Sequence, residues 1–180
     1  MVKGAYPLYL TYENLTLRDA LPEDAGQLAA WWNDGSVMAH AGFPKGLGTT
    51  PEKVRQELGQ SAERHRLILE IGGTAVGESS YRTCAPGTAE IGIKICEAAS
   101  QEKGYGKKFL SLLLRTLFQD LGYEKVRLDT GAENRRAQHV YERLGFRKLR
   151  VREKAFIDQF GCPMDAVDYE LLPQDFHSFL

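Results

Sequence analysis

Residues 101–106, Gln101-Glu102-Lys103-Gly104-Tyr105-Gly106, lie between a strand pattern at residues 89–96 and a strongly apolar helix pattern. That helix pattern repeats apolar side chains at helical spacing from Phe109 to Leu121. The two glycines let the backbone turn sharply and leave room for a ligand to approach closely. The first amides of a helix are unpaired and lie at the positive end of its dipole, which suits phosphate oxygens. The stretch therefore predicts a strand-to-helix turn that can seat a pyrophosphate.

Two common phosphate loops do not fit this stretch. A Walker loop ending at Gly106-Lys107 requires glycine at position 101 and Ser or Thr at position 108, where the chain has Gln101 and Lys108. The dinucleotide motif starting at Gly104 requires a third glycine at position 109, where the chain has Phe109. What remains is the pattern Gln-x-x-Gly-x-Gly, which alone fits either a pyrophosphate site or a plain tight turn.

The composition is that of an ordinary globular chain. Its 180 residues are 43% hydrophobic and 26% charged, which predicts a single domain with a proper core. The formal net charge of -1 gives no general attraction to nucleic acid or to an anionic membrane. The chain shows no signal-peptide pattern and no run near the ~18 apolar residues of a membrane span.

Cysteine usage indicates a reducing compartment. Cys84, Cys96 and Cys162 are odd in number and widely spaced, without a Cys-x-x-Cys pair or clustered histidines. This pattern argues against a disulfide framework and against a zinc site, so we expect a cytoplasmic protein without a metal.

Strand and helix patterns alternate along the chain. Helix patterns begin near Pro22, Thr50 and Asn134 as well as after the glycine pair, and residues 36–49 form a long glycine-rich loop. Strand patterns occupy residues 15–21, 66–71, 74–83, 89–96, 126–130, 146–157 and 166–172. This mixture predicts an α/β (α+β) domain in which helices pack on a sheet.

A second motif follows the glycine loop after one helix and one strand. It reads Asn134-x-x-Ala137-x-x-x-Tyr141-x-x-x-Gly145-Phe146. Together the two motifs and the element order resemble the GCN5-related N-acetyltransferase (GNAT) family over residues 15–172, with an N-terminal extension at 1–14 and a C-terminal tail at 173–180. Finer cues near both ends are similar to the branch that acetylates ribosomal-protein N termini and spermidine. The resemblance implies a central mixed, mostly antiparallel sheet flanked by helices.

The resemblance also implies acetyl transfer from acetyl-CoA to a primary amine, without a metal. It assigns the pyrophosphate to the backbone of residues 101–107, the pantetheine arm to the strand at Ile93 and Ile95, and the departing thiol to Tyr141. Asn134 matches an asparagine near the arm. The cofactor-binding residues expected in this way are Ile93, Ile95, Gln101, Glu102, Lys103, Gly104, Tyr105, Gly106, Lys107 and Asn134.

The attacking amine must be neutral, which makes proton removal part of the chemistry. A lysine-like amine with a pKa of ~10.4 is about one part in two thousand neutral at pH 7, whereas an α-amino group near ~7.8 is about a tenth neutral. Glu90, eleven residues before Gln101, is the candidate base, acting through water, and Glu78 is the second candidate. The alternative for Glu90 is a strand-end carboxylate held in an ion pair.

Tyr141 and the acceptor amine leave further alternatives open. Tyr141 is either a hydrogen-bond donor to the departing thiolate or a core aromatic in the stripe with Ala137 and Leu144. The acceptor is a protein N terminus, a polyamine or a small-molecule amine, such as an antibiotic or metabolite. We expect direct attack in a ternary complex; the alternative from another class is an acyl-CoA-binding sensor without turnover. A monomer and a homodimer are both compatible with the sequence.

Overall fold

One eight-stranded sheet organises the computed structural model, which describes residues 7–60 and 63–180. The strand order is β1-β2-β3-β4-β5-β6-β8-β7, and every neighbouring pair is antiparallel except β5 and β6. The mixed, mostly antiparallel sheet expected from the sequence is therefore confirmed. The strands are β1 Tyr9–Tyr12, β2 Leu15–Asp19, β3 Arg64–Ile71, β4 Thr74–Ala85, β5 Thr88–Ile95, β6 Lys125–Gly131, β7 Arg147–Ile157 and β8 Pro163–Leu171.

Helices cover both faces of this sheet. They are α1 Ala25–Asn33, α2 Gly35–Met38, α3 Pro51–Gln60, α4 Tyr105–Arg115 and α5 Arg135–Arg143. The apolar stripe of α4 is buried, as its spacing predicts, and a π-helical turn at Thr116–Asp120 continues it. No helix within residues 7–60 and 63–180 is long and apolar enough to cross a membrane.

Two apolar clusters lie on opposite faces of the sheet. The larger one joins α4 and α5 to side chains such as Leu69, Ile91 and Tyr169. The smaller one joins α1 and α3 to Ile68 and Cys96. Leu69 and Ile68 are neighbours in β3 and belong to different clusters because successive side chains of a strand point to opposite faces.

The chain ends take part in the domain more than the sequence analysis expected. Part of the expected extension, residues 1–14, forms β1, which pairs with β2 through a turn where Glu13 has φ 52°. Residues 1–6 lie outside the described residues. In the expected tail, Phe176, Phe179 and Leu180 pack against the larger cluster. These side chains are partly buried, and the apolar surface that they bury keeps the tail on the domain.

The parallel pair β5–β6 is short, and this shapes the molecule. β5 pairs with β4 from Thr88 to Ile95, but with β6 only at Thr88, Ala89 and Glu90. Beyond Glu90 the two strands no longer pair, while β6 stays paired with β8 as far as Gly131. A cleft opens in the space between them.

Candidate active site

The cleft between the diverging strands has a volume of about 860 Å³. Its walls come from β5, β6, the first turns of α4 and α5, and the α2 region. Ten of the twelve residues proposed for the site from the sequence line it, namely Ile93, Ile95, Gln101, Glu102, Gly104, Tyr105, Gly106, Lys107, Asn134 and Tyr141. The other two, Lys103 and Glu90, do not line it.

The loop from Gln101 to Gly104 has an unusual backbone. Gly104 has φ 79°, and Glu102, which carries a side chain, has φ 60°. Positive φ values are uncommon for residues other than glycine and concentrate at functional sites. The Gln101 side chain fastens the loop to the strand, because its Nε2 donates to the Ile95 carbonyl at 3.0 Å. The loop is thus held against the open end of β5.

Helix α4 begins at this loop with free amides. Its N-cap, Gly104, offers no side chain to the first turn, and a Cβ on Gly106 would meet nothing within 4 Å. By contrast, the Asn134 side chain caps α5 and accepts from the Ala137 amide at 3.2 Å. An uncapped helix start beside open space leaves N–H donors and a positive dipole end for an anion. This geometry fits a phosphate group at the α4 start.

Cationic side chains lie at the same end of the cleft. Lys107, Arg136 and Arg143 all line it. The Arg136 Nη1 atom forms an ion pair with Glu102 Oε1 at 3.2 Å, and both side chains are exposed. Lys107 and Arg143 each lie over the ring of Phe179. The loop end of the cleft is therefore positive, which suits a ligand with several phosphate charges.

β5 has a closed half, Thr88–Glu90, which pairs with β6, and an open half, residues 91–95, which forms one wall of the cleft. Ile93 and Ile95 line it, and the described pairing gives this part of β5 a neighbour on the β4 side alone. A strand edge without a partner presents backbone N–H and C=O groups to an extended ligand. Such an edge suits the amide groups of a pantetheine-like chain.

Tyr141 closes the other side of the cleft from α5. Its ring is 7% exposed and meets the rings of Phe146 and Tyr169 edge-on, with centroids 5.8 Å away in each case. Burial, with the nearby Asp129 carboxylate, raises the pKa of Tyr141 to about 12. Within residues 7–60 and 63–180 its hydroxyl has no hydrogen-bond partner. Tyr141 is thus a core aromatic and a free, protonated donor at the same time.

Glu90, the candidate base, lies in the closed half of β5. Its Oε1 accepts from Arg82 Nε at 2.9 Å and from Arg64 Nη2 at 3.2 Å, and its Oε2 accepts from Arg82 Nη2 at 3.0 Å. The hydrogen bonds from Arg82 hold the pKa of Glu90 below its usual 4.5 despite partial burial. These contacts match the ion-pair alternative, and they make the carboxylate a weaker base.

Glu78, the second candidate, is almost fully buried at 4% exposure. Its Oε1 accepts from Trp32 Nε1 at 2.8 Å and its Oε2 accepts from Arg66 Nη1 at 2.8 Å. It does not line the cleft either. Both glutamates are thus held by neighbouring donors away from the open space.

Sequence reasoning missed several polar residues of the cleft, among them His40, Lys94, Asp129 and His139. The strand pattern did carry a signal for Lys94. It lies between Ile93 and Ile95, so its side chain lies on the face of β5 opposite to theirs. His40 had none, because it comes from the long loop before α3. No group of three metal-binding side chains occurs among the residues that the structure describes.

Comparisons with known proteins agree with this arrangement. A family model described as "Acetyltransferase (GNAT) domain" matches residues 14–147. The SPbeta prophage-derived uncharacterized N-acetyltransferase YokL of Bacillus subtilis (strain 168) is 26% identical over 173 residues, covering 91% of this chain and 96% of that protein.

Solved structures share the fold. A spermidine N-acetyltransferase from Vibrio cholerae, in complex with CoA and spermine, is similar with a TM-score of 0.79 at 21% identity, covering 90% of this chain and 97% of that one. A GNAT-family acetyltransferase from Bacillus anthracis is similar with a TM-score of 0.78 at 21% identity, covering 93% and 99% of the two chains. At these identities the likeness concerns the fold.

Proposed function

The chain belongs to the GNAT acetyltransferase domain family and is an acetyl-transferring enzyme, and we propose that it moves the acetyl group of acetyl-CoA directly to a primary amine. The observation that carries this proposal is the cleft where β5 and β6 separate. The uncapped start of α4, the free edge of β5 and the Tyr141 hydroxyl all meet there. An anionic, extended cofactor with a reactive thioester at one end matches these three features.

The donor would lie along β5 with its phosphates at α4. The backbone of residues 101–107 and the side chains of Lys107, Arg136 and Arg143 would hold the phosphates. The edge at Ile93 and Ile95 would hold the pantetheine arm, with Asn134 at the start of the opposite helix. Bound in this way, acetyl-CoA supplies an activated acetyl group.

The chemistry begins with the neutral amine. Its nitrogen forms a bond to the thioester carbonyl carbon, the carbon–sulfur bond then breaks, and the products are an amide and a thiol. The extra proton on nitrogen leaves to water in the cleft, since neither Glu90 nor Glu78 lines this space.

Tyr141 acts on the departing sulfur as a hydrogen-bond donor. Its pKa of about 12 lies well above the ~8.5 of a cysteine-like thiol, so complete proton transfer to the thiolate costs about 5 kcal/mol. A hydrogen bond to the developing negative charge avoids this cost and still stabilises the transition state. The thiolate then takes its proton from solvent.

Direct attack is also favoured by the state of the cysteines. Cys96 is buried, and burial raises the pKa of its thiol to about 12. None of the described residues lining the cleft is a cysteine. A covalent acetyl-cysteine route therefore has no nucleophile in place.

An amine panel tests this function. Isothermal titration should detect acetyl-CoA binding, and a thiol-release assay should show turnover with at least one class among peptide N termini, polyamines and small amines. Binding without thiol release from any amine would contradict the proposed transfer and favour an acyl-CoA sensor. Absence of binding would contradict the donor site itself.

A further inference from the structure

Lys94 lines the cleft between the two isoleucines of the β5 edge. Ile93 and Ile95 belong to the cluster under α4, whereas Lys94 contacts Met38 and Glu78 on the opposite face. Its side chain is 26% exposed and lines the cleft. The ammonium group is therefore placed on the side of β5 away from the α4 cluster, with access to the open space.

This ammonium group has donors to spare. A lysine carries three N–H donors. Among the described residues, Lys94 Nζ makes one hydrogen bond, to Met38 Sδ at 3.1 Å, and a thioether sulfur is a weak acceptor. Glu78 Oε1 forms an ion pair with Lys94 Nζ at 3.6 Å, but this distance is too long for a hydrogen bond, and the oxygen already accepts from Trp32. A carboxylate from a ligand would satisfy Lys94 far better than its present neighbours do.

The acidic residues of the cleft, by contrast, already accept hydrogen bonds from charged side chains. Glu102 and Asp129 are the two carboxylates lining it within the part of the chain that the structure describes. Glu102 pairs with Arg136 at 3.2 Å, and Asp129 accepts from Arg152 Nη2 at 2.7 Å. A carboxylate is the strongest hydrogen-bond acceptor that a protein side chain offers to the distal ammonium group of a polyamine. Both carboxylates here already have a guanidinium partner.

We propose that Lys94 binds a carboxylate of the acceptor, so the preferred substrate is an amine that also carries a carboxylate rather than a polyamine. This inference rests on the proposed acetyl transfer to a primary amine and narrows its substrate class. The carboxylate belongs either to a small amino acid or to a peptide, and both present the same chemistry to Lys94. A charge-assisted hydrogen bond between the two groups orients the amine while it waits for deprotonation.

Matched acceptors test the inference on the intact enzyme. We would measure kcat/KM for ω-amino acids from glycine to 6-aminohexanoate, for alkylamines of equal length and for the corresponding diamines. Peptides with a free N terminus, differing only by Asp or Lys at the second position, form the second arm. We expect at least one carboxylate-bearing amine to exceed its neutral and dicationic counterparts by about tenfold, the scale of one charge-assisted hydrogen bond. The arm with the larger kcat/KM ratio in favour of the carboxylate-bearing acceptor shows whether the carboxylate comes from a small amino acid or from a peptide.

Variants of Lys94 connect this preference to one side chain. Lys94→Gln should lower kcat/KM for the carboxylate-bearing amine about tenfold, while the value for the alkylamine and the Kd of acetyl-CoA stay unchanged. Lys94→Arg should restore most of the preference because it keeps the charge. Lys53→Gln removes an exposed lysine of α3 that does not line the cleft, so it should change none of these values. Thermal unfolding of each variant verifies that the fold is retained.

Three results would overturn the inference. Preference of the wild type for alkylamines or diamines would refute it while leaving the proposed acetyl transfer intact. A Lys94→Gln enzyme with weaker acetyl-CoA binding and unchanged acceptor preference would assign Lys94 to the donor instead. Acetyl-CoA binding without thiol release from any amine would remove the proposed function and this inference together.

Discussion

Both halves of β5 pair with β4 on one side, but only one half pairs with β6 on the other side. At Thr88–Glu90 the strand also pairs with β6, and the Glu90 carboxylate is bonded to two arginines. From Ile91 to Ile95 the partner strand has left, and the side chains line the cleft. These stretches are the closed half and the open half of β5.

The difference shows what a cofactor site on a sheet requires. In the closed half, backbone and side-chain groups already have partners, so they add stability and leave nothing for a ligand. The open half has unused hydrogen-bonding capacity along its strand edge and at the Lys94 ammonium group. The first amides of α4, beside the open half, have unused capacity as well. Unused hydrogen-bonding capacity at a cleft, rather than the presence of a carboxylate, is the feature on which the proposed site rests.

The largest expected effect comes from placing an anion at the open half. Gly106→Asp puts a carboxylate at the start of α4, where a Cβ meets nothing within 4 Å, so the fold should accept it. Like charges brought together cost several kcal/mol, so acetyl-CoA should bind at least about 100-fold more weakly. Isothermal titration measures this loss directly.

The matched control for this substitution is Gly26→Asp. Gly26 is the second residue of α1, as Gly106 is of α4, and its Cβ would also meet nothing within 4 Å. This variant adds the same charge at the same helix position away from the cleft, so acetyl-CoA affinity should not change. Equal loss in both variants would mean that net charge, not the site, causes the effect.

Tyr141→Phe tests the open half at its other end. The hydroxyl has no partner among the described residues, so its removal should leave folding and acetyl-CoA affinity nearly unchanged. Loss of a hydrogen bond to a developing charge costs about 1.5–3 kcal/mol, so kcat should fall about 10- to 100-fold. Tyr123→Phe, in which the lost hydroxyl bonds Thr83 outside the cleft, is the control for steady-state kinetics. Equal kcat in Tyr141→Phe and wild type would remove the leaving-group role.

Local patterns in the sequence were sufficient to predict the strand, the turn and the helix that surround the open half. The glycine pair, the apolar stripe of α4 and the strand before them are contiguous, so their geometry follows from spacing alone. The helix start at Asn134 was also readable because an N-cap residue sits beside the helix it caps.

The closed half was not readable in the same way. Arg64 and Arg82, which hold Glu90, are 26 and 8 residues away along the chain and reach it only through the pairing of β3, β4 and β5. The separation of β5 from β6 beyond Glu90 is likewise a property of the sheet, since it depends on the pairing of strands that are distant in sequence. The pairing of distant strands determines that the Glu90 carboxylate is bonded to arginines, and the sequence pattern does not contain that information.

Glu102→Gln should strengthen the binding of acetyl-CoA at the open half. The exposed pair with Arg136 is worth about 1 kcal/mol or less, and its removal deletes an anion beside the phosphate site. We expect acetyl-CoA to bind about two- to fivefold more tightly at low salt, with the gain shrinking as salt screens the charges. Glu52→Gln, at an exposed residue of α3, is the control, and weaker binding in Glu102→Gln would indicate that the ion pair helps to shape the loop.

Glu90→Gln should have the smallest effect on turnover and a pH-dependent effect on stability. The folded pKa of Glu90 lies below 4.5 because Arg82 and Arg64 favour the charged form. Its stabilisation is therefore complete above the unfolded pKa and disappears as the pH falls through the lower folded value. Urea unfolding should show a loss of about 1 kcal/mol or less at pH 7 and none in strong acid, whereas Glu57→Gln in α3 should show neither. The kcat/KM profile above pH 6 should coincide with wild type within about twofold, since a carboxylate whose pKa is held below 4.5 by Arg82 and Arg64 is a poor proton acceptor. A turnover loss that grows as the pH falls below the amine pKa would return Glu90 to the role of base and show that the closed half takes part in the reaction.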